Sequence, residues 1–127
     1  ELIILYGLVF RFLKLVGYIV IADRYIWDTL IDLKLKFKNV DIEELLCWKI
    51  LSFSALTPSH SFIITIPIEE SLRRSNLKNE PFSESLAERE KRFEKYKELI
   101  SLNKWQTNID GMVSIDEVWS VIKRELV

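Results

Sequence analysis

The sequence predicts a helix-rich α/β layered fold built around a parallel sheet. Three observations point there. Short, nearly unbroken β-branched runs occur at residues 18–22 (Tyr-Ile-Val-Ile-Ala), 61–66 (Ser-Phe-Ile-Ile-Thr-Ile) and, more weakly, 105–109, as in strands buried on both faces. Stretches with apolar residues at helical spacing alternate with those runs, the pattern of strands joined by helical crossovers. Glycine and proline number three each in 127 residues, against average usage of about 7% and 5%, so long irregular loops have little to be made from. The length suits a single domain over residues 1–127.

Residues 2–16 are apolar except for Arg11 and Lys14. A membrane span takes about 20 apolar residues, and each central cation would cost about 2.5–3.5 kcal/mol there. Gly17 also splits the run, so the segment reads as a buried helix with Arg11 and Lys14 facing outward. A signal peptide would need a basic start and a small-residue cleavage site, and neither is present. After the strand at 18–22 come Asp23-Arg24-Tyr25 and a helix over 26–36. Asn39-Val40-Asp41 marks a break. Asp41 with Glu44 makes a capping-box-like start for a helix carrying Ile42, Leu45, Leu46, Ile50 and Phe53. Residues 57–60 form a turn before the strand at 61–66.

Pro67 ends that strand and can open a helix, with Glu69 and Glu70 favoured at its N-terminus and Arg73 and Arg74 one turn later. Residues 75–83 are polar, hold Pro81, and read as a mobile connection. A charged helix over 84–101 follows, with Leu86, Phe93, Tyr96 and Ile100 along one stripe. The strand at 105–109 leads to an Asp110-Gly111 turn. Ser114 with Glu117 makes a second capping box, opening a helix with Ile115, Val118, Trp119, Ile122 and Leu126 at a 3.6-residue period.

Eighteen Lys and Arg against nineteen Asp and Glu leave a charge of -1. Such a balance gives no general reason to seek nucleic acid or an anionic membrane surface. The single Cys47 cannot form an internal disulfide, and with the single His60 it cannot build a zinc site; they read as a buried helical thiol and a loop histidine. A reducing, cytoplasmic setting fits.

In parallel sheets ligands sit beyond the carboxyl ends of the strands. Asp23-Arg24-Tyr25, residues 67–74 and Ile109-Asp110-Gly111 occupy that position here. An acid after a buried strand can hold a metal-bound water, and an adjacent arginine can grip phosphoryl oxygens; equally, Asp23 can cap the next helix and Arg24 can be a surface charge. Arg73, Arg74 and Lys78 enter the polar connection and could close over a triphosphate, or belong to a solvated face. Arg89, Lys91 and Arg92 read as a solvated face laced with Glu–Lys pairs.

The run Gly17-Tyr-Ile-Val-Ile-Ala-Asp23-Arg24-Tyr25 resembles the Asp-Arg-Tyr strand end of the thymidylate kinase family of P-loop nucleotide kinases. Ile64-Thr-Ile-Pro67-Ile-Glu69-Glu70-Ser-Leu72-Arg73-Arg74 is similar to the strand leading into that family's lid. Tyr96-Lys-Glu-Leu99 resembles the helix after the lid, and Ile109-Asp110-Gly111 the adenine-side loop. The pieces stand in the family's order and cover nearly the whole chain.

The resemblance implies part of a three-layer P-loop kinase fold, a lid near residues 75–85, and transfer of a phosphoryl group from ATP to a nucleoside monophosphate with Mg2+. It implies that Arg24 and Tyr25 hold the acceptor phosphate, and that Asp23 is catalytic and meets the metal through water. Arg73 and Arg74 become catalytic lid cations together with Lys78, and Asp110 and Gly111 line the adenine site. The partners implied are nucleotide substrates, and a homodimer is compatible with it.

Two departures stand out. No Gly-x-x-x-x-Gly-Lys-Ser/Thr loop occurs in the 127 residues, and the family's thymine-reading Ala-Tyr-Gln is replaced by Trp27-Asp28-Thr29, which leaves the acceptor base open. In that fold the first strand lies between the third and fourth, and the strands here correspond to the third, fourth and fifth. The expectation is therefore the carboxyl-terminal part of a longer kinase-like protein, inactive alone. The alternatives are a non-catalytic nucleotide-binding or interaction module on the same scaffold, and a membrane-associated helical protein resting on residues 2–16.

Overall fold

Apolar spacing and turn chemistry place most elements where the sequence puts them, in a computed structural model that describes residues 1–78 and 84–127. The chain divides into two units, Glu1–Pro58 and Ser59–Val127.

In the first unit a π-helical segment, Ile4–Val9, runs into α1 (Phe10–Leu15). Gly17 stops the helix at φ 87°. Its N–H donates to the Lys14 carbonyl at 3.1 Å, and the Tyr18 N–H donates to that of Leu13 at 2.9 Å. This paired closure needs a left-handed residue, which glycine supplies without strain. The expected buried helix is corrected: only Tyr6 and Gly7 are buried in it, while Leu8, Phe12 and Leu15 are exposed. Apolar residues lie on every side of the run, but only one face packs on the segment ending at Ser54, whose carbonyl accepts from Arg11 Nη2 at 3.1 Å. No helix among the described residues is long and apolar enough to cross a membrane.

Residues 18–22 are also corrected. They form no strand, and Ile19 and Ile21 are 90% and 91% exposed. A β-branched run becomes a buried strand only where neighbours supply ladder partners and cover, and among the described residues none does.

Helix α2 (Ile26–Lys36) has the expected bounds, because the Tyr25 N–H donates to Asp28 Oδ2 at 3.2 Å and Ile26, Leu30 and Ile31 form its buried stripe. Beyond it, Asp41 opens only a 3-10 turn, Ile42–Glu44. Leu45 is extended, so α3 starts afresh as Leu46–Ser54. That restart turns Trp48 and Leu51 inward and leaves Leu46, Ile50 and Phe53 exposed. Cys47 is exposed as well, not buried as expected.

In the second unit β1 (Phe62–Thr65) and β2 (Thr107–Asp110) form a two-stranded parallel sheet, in register from Phe62 opposite Thr107 to Thr65 opposite Asp110. Pro67 ends the first strand run and α4 (Ile68–Leu77) follows. Residues 75–77 belong to this helix, with Ser75 buried, and so are not part of a mobile connection. The rest of that connection, 79–83 with Pro81, lies outside the described residues.

Helix α5 (Leu86–Ser101) is opened by Ser85 and Glu88, whose side chains each satisfy the other's backbone N–H. It closes on Asn103 at φ 53°. Leu99 is its buried residue; Phe93, Tyr96 and Ile100 are half-buried, and Leu86 is exposed. Ser114 and Glu117 open α6 (Ile115–Leu126) with the reciprocal bonds the sequence predicts. The molecule is thus helix-rich α/β with a small parallel sheet.

Candidate functional site

The expected acceptor residues lie on the first unit. The Asp23 carboxylate is exposed and holds no hydrogen bond among the described residues. It does not cap α2, whose start is closed by Asp28. Arg24 sits at φ 64°, a left-handed backbone that costs a non-glycine residue on the order of 1 kcal/mol and concentrates at functional positions. Its guanidinium lies 3.4 Å from both Asp32 carboxylate oxygens and 3.8 Å from Asp28.

Tyr25 turns the other way. Its ring lies 4.6 Å from that of Tyr6 and 5.9 Å from that of Phe10, and its hydroxyl donates to the Leu56 carbonyl at 3.1 Å. Burial raises the phenol above its ordinary value, so the group stays protonated. The Tyr25 side chain is a packing element where it sits.

The expected lid and adenine residues lie on the second unit, and here the sheet does bring them together. β1 and β2 run parallel, so their carboxyl ends emerge side by side, with α4 leaving one and the Asp110-Gly111 turn leaving the other. Gly111 continues the ladder, its N–H donating to the Thr65 carbonyl at 2.8 Å. A Cβ at that position would lie 2.6 Å from Ile66 Cγ2 and 2.9 Å from Ile64 Cγ2, so close approach rather than φ demands glycine. The Asp110 carboxylate accepts from the Met112 N–H at 2.8 Å and shapes the turn.

Arg74 joins α4 to the Asp110-Gly111 turn. Its Nη2 donates to the Gly111 carbonyl at 3.0 Å and its Nε to Glu70 Oε1 at 2.6 Å. Arg73 forks onto the same carboxylate, with Nε and Nη2 each 2.7 Å from an oxygen. These two guanidinium groups hold the Glu70 carboxyl down at about 2. Lys78 is exposed at the end of α4.

Two residues gain a meaning the sequence left open. Glu70 first read only as a favourable charge at a helix start; its spacing of three and four from the arginines was the available signal for the shared ion pair. Arg89, grouped with Lys91 and Arg92 as a solvated face, is half-buried. It donates to the hydroxyls of Ser71 at 2.7 Å and Ser75 at 3.2 Å, and its Nε is buried without a partner. Arg92 pairs with Glu84 at 2.6 Å. Only a tertiary contact between α4 and α5 could have distinguished Arg89 from its neighbours. It borders a groove of about 610 Å³ walled by Ile63, Phe93 and Tyr96.

Among the described residues no three His, Cys, Asp or Glu side chains gather as a metal-binding group. Asp23, a lone exposed carboxylate, fits an ion that keeps its own waters, as Mg2+ does, and does not fit a chelated one. Searches among protein families, curated proteins and solved structures find no match to this chain.

Proposed function

We propose that this chain forms the acceptor, lid and adenine sides of a thymidylate-kinase-like nucleotide kinase that transfers a phosphoryl group from ATP to a nucleoside monophosphate. The observation that carries this reading is the bond from Arg74 to the Gly111 carbonyl. It joins the root of the lid to the adenine-side loop at the carboxyl ends of two parallel strands, where such sheets take ligands. The strained backbone of Arg24 after an apolar run supports an acceptor-phosphate role. The direct parallel pairing of β1 and β2 also supports the kinase reading, since the fourth and fifth strands of that family are neighbours.

In this reading the guanidinium of Arg24 leaves Asp32 and grips the acceptor phosphate, and Arg73 and Arg74 spread the charge of the transferred group. ATP would supply that group, and Asp23 would hold a Mg2+ ion through its waters, where the ion would offset phosphate charge. Turnover also needs a glycine-rich loop with its lysine, which these 127 residues do not contain. The second reading is a non-catalytic nucleotide-binding or interaction module on the same scaffold, which a degenerate phosphate loop in the full protein would favour.

The test is calorimetric titration of the chain with nucleoside monophosphates. Arg24→Ala is expected to weaken monophosphate binding at least about tenfold, the scale of one lost charge-assisted fork, and to leave ADP binding unchanged. Equal loss of ADP binding, or no loss of either, contradicts the assignment. In a protein that also carries the phosphate loop, Arg73→Ala lowers kcat more than acceptor affinity; an unchanged kcat returns Arg73 to the solvated face.

A further inference from the structure

We propose that Glu70 is an internal counter-anion, holding the guanidinium groups of Arg73 and Arg74 until a phosphate-bearing ligand displaces it. The inference rests on reading this α4 cluster as a phosphate site, and it assigns the site a competitor of its own. One carboxylate accepts three N–H bonds from two arginines: Oε2 from Arg73 Nε, and Oε1 from both Arg73 Nη2 and Arg74 Nε, all at 2.6–2.7 Å. The Glu70 side chain is 14% exposed, against 62% and 44% for the two arginines. The cations therefore face solvent with the carboxylate behind them, and an arriving anion meets guanidinium first.

A guanidinium has five N–H donors, and the Nη1 groups of both arginines have no partner among the described residues. An anion can dock on these before Glu70 lets go. Glu70 lies in the first turn of α4, where the helix end favours negative charge, so it remains ionised after release. A bound polyphosphate then faces a like charge, and only a ligand bringing more charge than one carboxylate wins the pair. Arg74 remains tethered through Gly111 and pivots, while Arg73 is free to follow the ligand.

The experiment is calorimetric titration of inorganic tripolyphosphate into the intact chain and into Glu70→Gln. The amide keeps the side-chain shape and removes the competing charge, so E70Q is expected to bind about tenfold tighter. Adding Arg73→Ala to E70Q is expected to abolish the gain. Glu70→Ala serves as a second variant with the same expected direction, and circular dichroism confirms that each chain is folded. Binding by E70Q that is equal to or weaker than wild type overturns the proposal, as does a gain that survives Arg73→Ala or an absence of binding by both chains. Equal binding by wild type and E70Q defeats the counter-anion alone and leaves a phosphate site standing. A gain in E70Q with no binding of ADP defeats the nucleotide reading and leaves the counter-anion standing.

Discussion

Arg24 and Gly111 show two ways in which a single residue reports on a site. Arg24 carries a left-handed backbone and faces Asp28 and Asp32, and it could be named from its place after an apolar run. Gly111 could be named from its Asp-Gly turn, but not the reason it must be glycine. The turn suggests a conformational need; the actual need is room, since a Cβ would press on Ile66 and Ile64. Gly111→Ala is expected to destabilise the protein by roughly 1–3 kcal/mol, the usual cost of overpacking, read as a lower urea midpoint with unchanged slope. An unchanged midpoint would mean that the two isoleucines yield without cost. Tyr25 was legible as part of an Asp-Arg-Tyr motif, yet its ring contacts with Tyr6 and Phe10 join residues distant in sequence, which no local pattern encodes.

At the scale of elements, local chemistry was legible and partnership was not. The Ser114–Glu117 box forms as expected because all its atoms lie within four residues. Asp41 and Glu44 offer the same spacing and fail, because Leu45 takes an extended backbone and the helix restarts one residue later. For α5, Ser85→Ala removes the hydroxyl that receives the Glu88 N–H and is expected to cost about 1 kcal/mol, measured by chemical unfolding. No change would show that the Glu88 carboxylate alone maintains the helix start.

The α4 ion pair adds a pH signature. Glu70 titrates at about 2 in the folded protein against an ordinary 4.5, so the unfolded chain binds its proton first as pH falls. Its stabilising contribution is complete above about pH 5 and disappears as pH drops through the window from 4.5 towards 2. The stability gap between wild type and Glu70→Gln should accordingly shrink across that window, as followed by thermal unfolding. A gap independent of pH there would contradict the pairing of Glu70 with Arg73 and Arg74.

For the whole molecule, the α/β class was legible from alternation of strand-like and helical runs, and the runs expected at 61–66 and 105–109 do pair in parallel, over 62–65 and 107–110. The missing third strand was not legible. Residues 18–22 have strand composition, but pairing depends on a neighbour, and composition does not reveal whether one is present. Each of β1 and β2 keeps one unpaired edge among the described residues, and exposed apolar edges are usually paired or covered.

We propose that nucleotide binds where Arg74 meets the Asp110-Gly111 turn. Residue-resolved NMR of the chain titrated with ADP tests it most directly. Saturable shifts at Glu70, Arg73, Arg74 and residues 110–114 are predicted, with an affinity of about 1 mM because the glycine-rich loop contributes nothing. Absence of shifts at these residues, or shifts confined to the Arg89 groove, would contradict it.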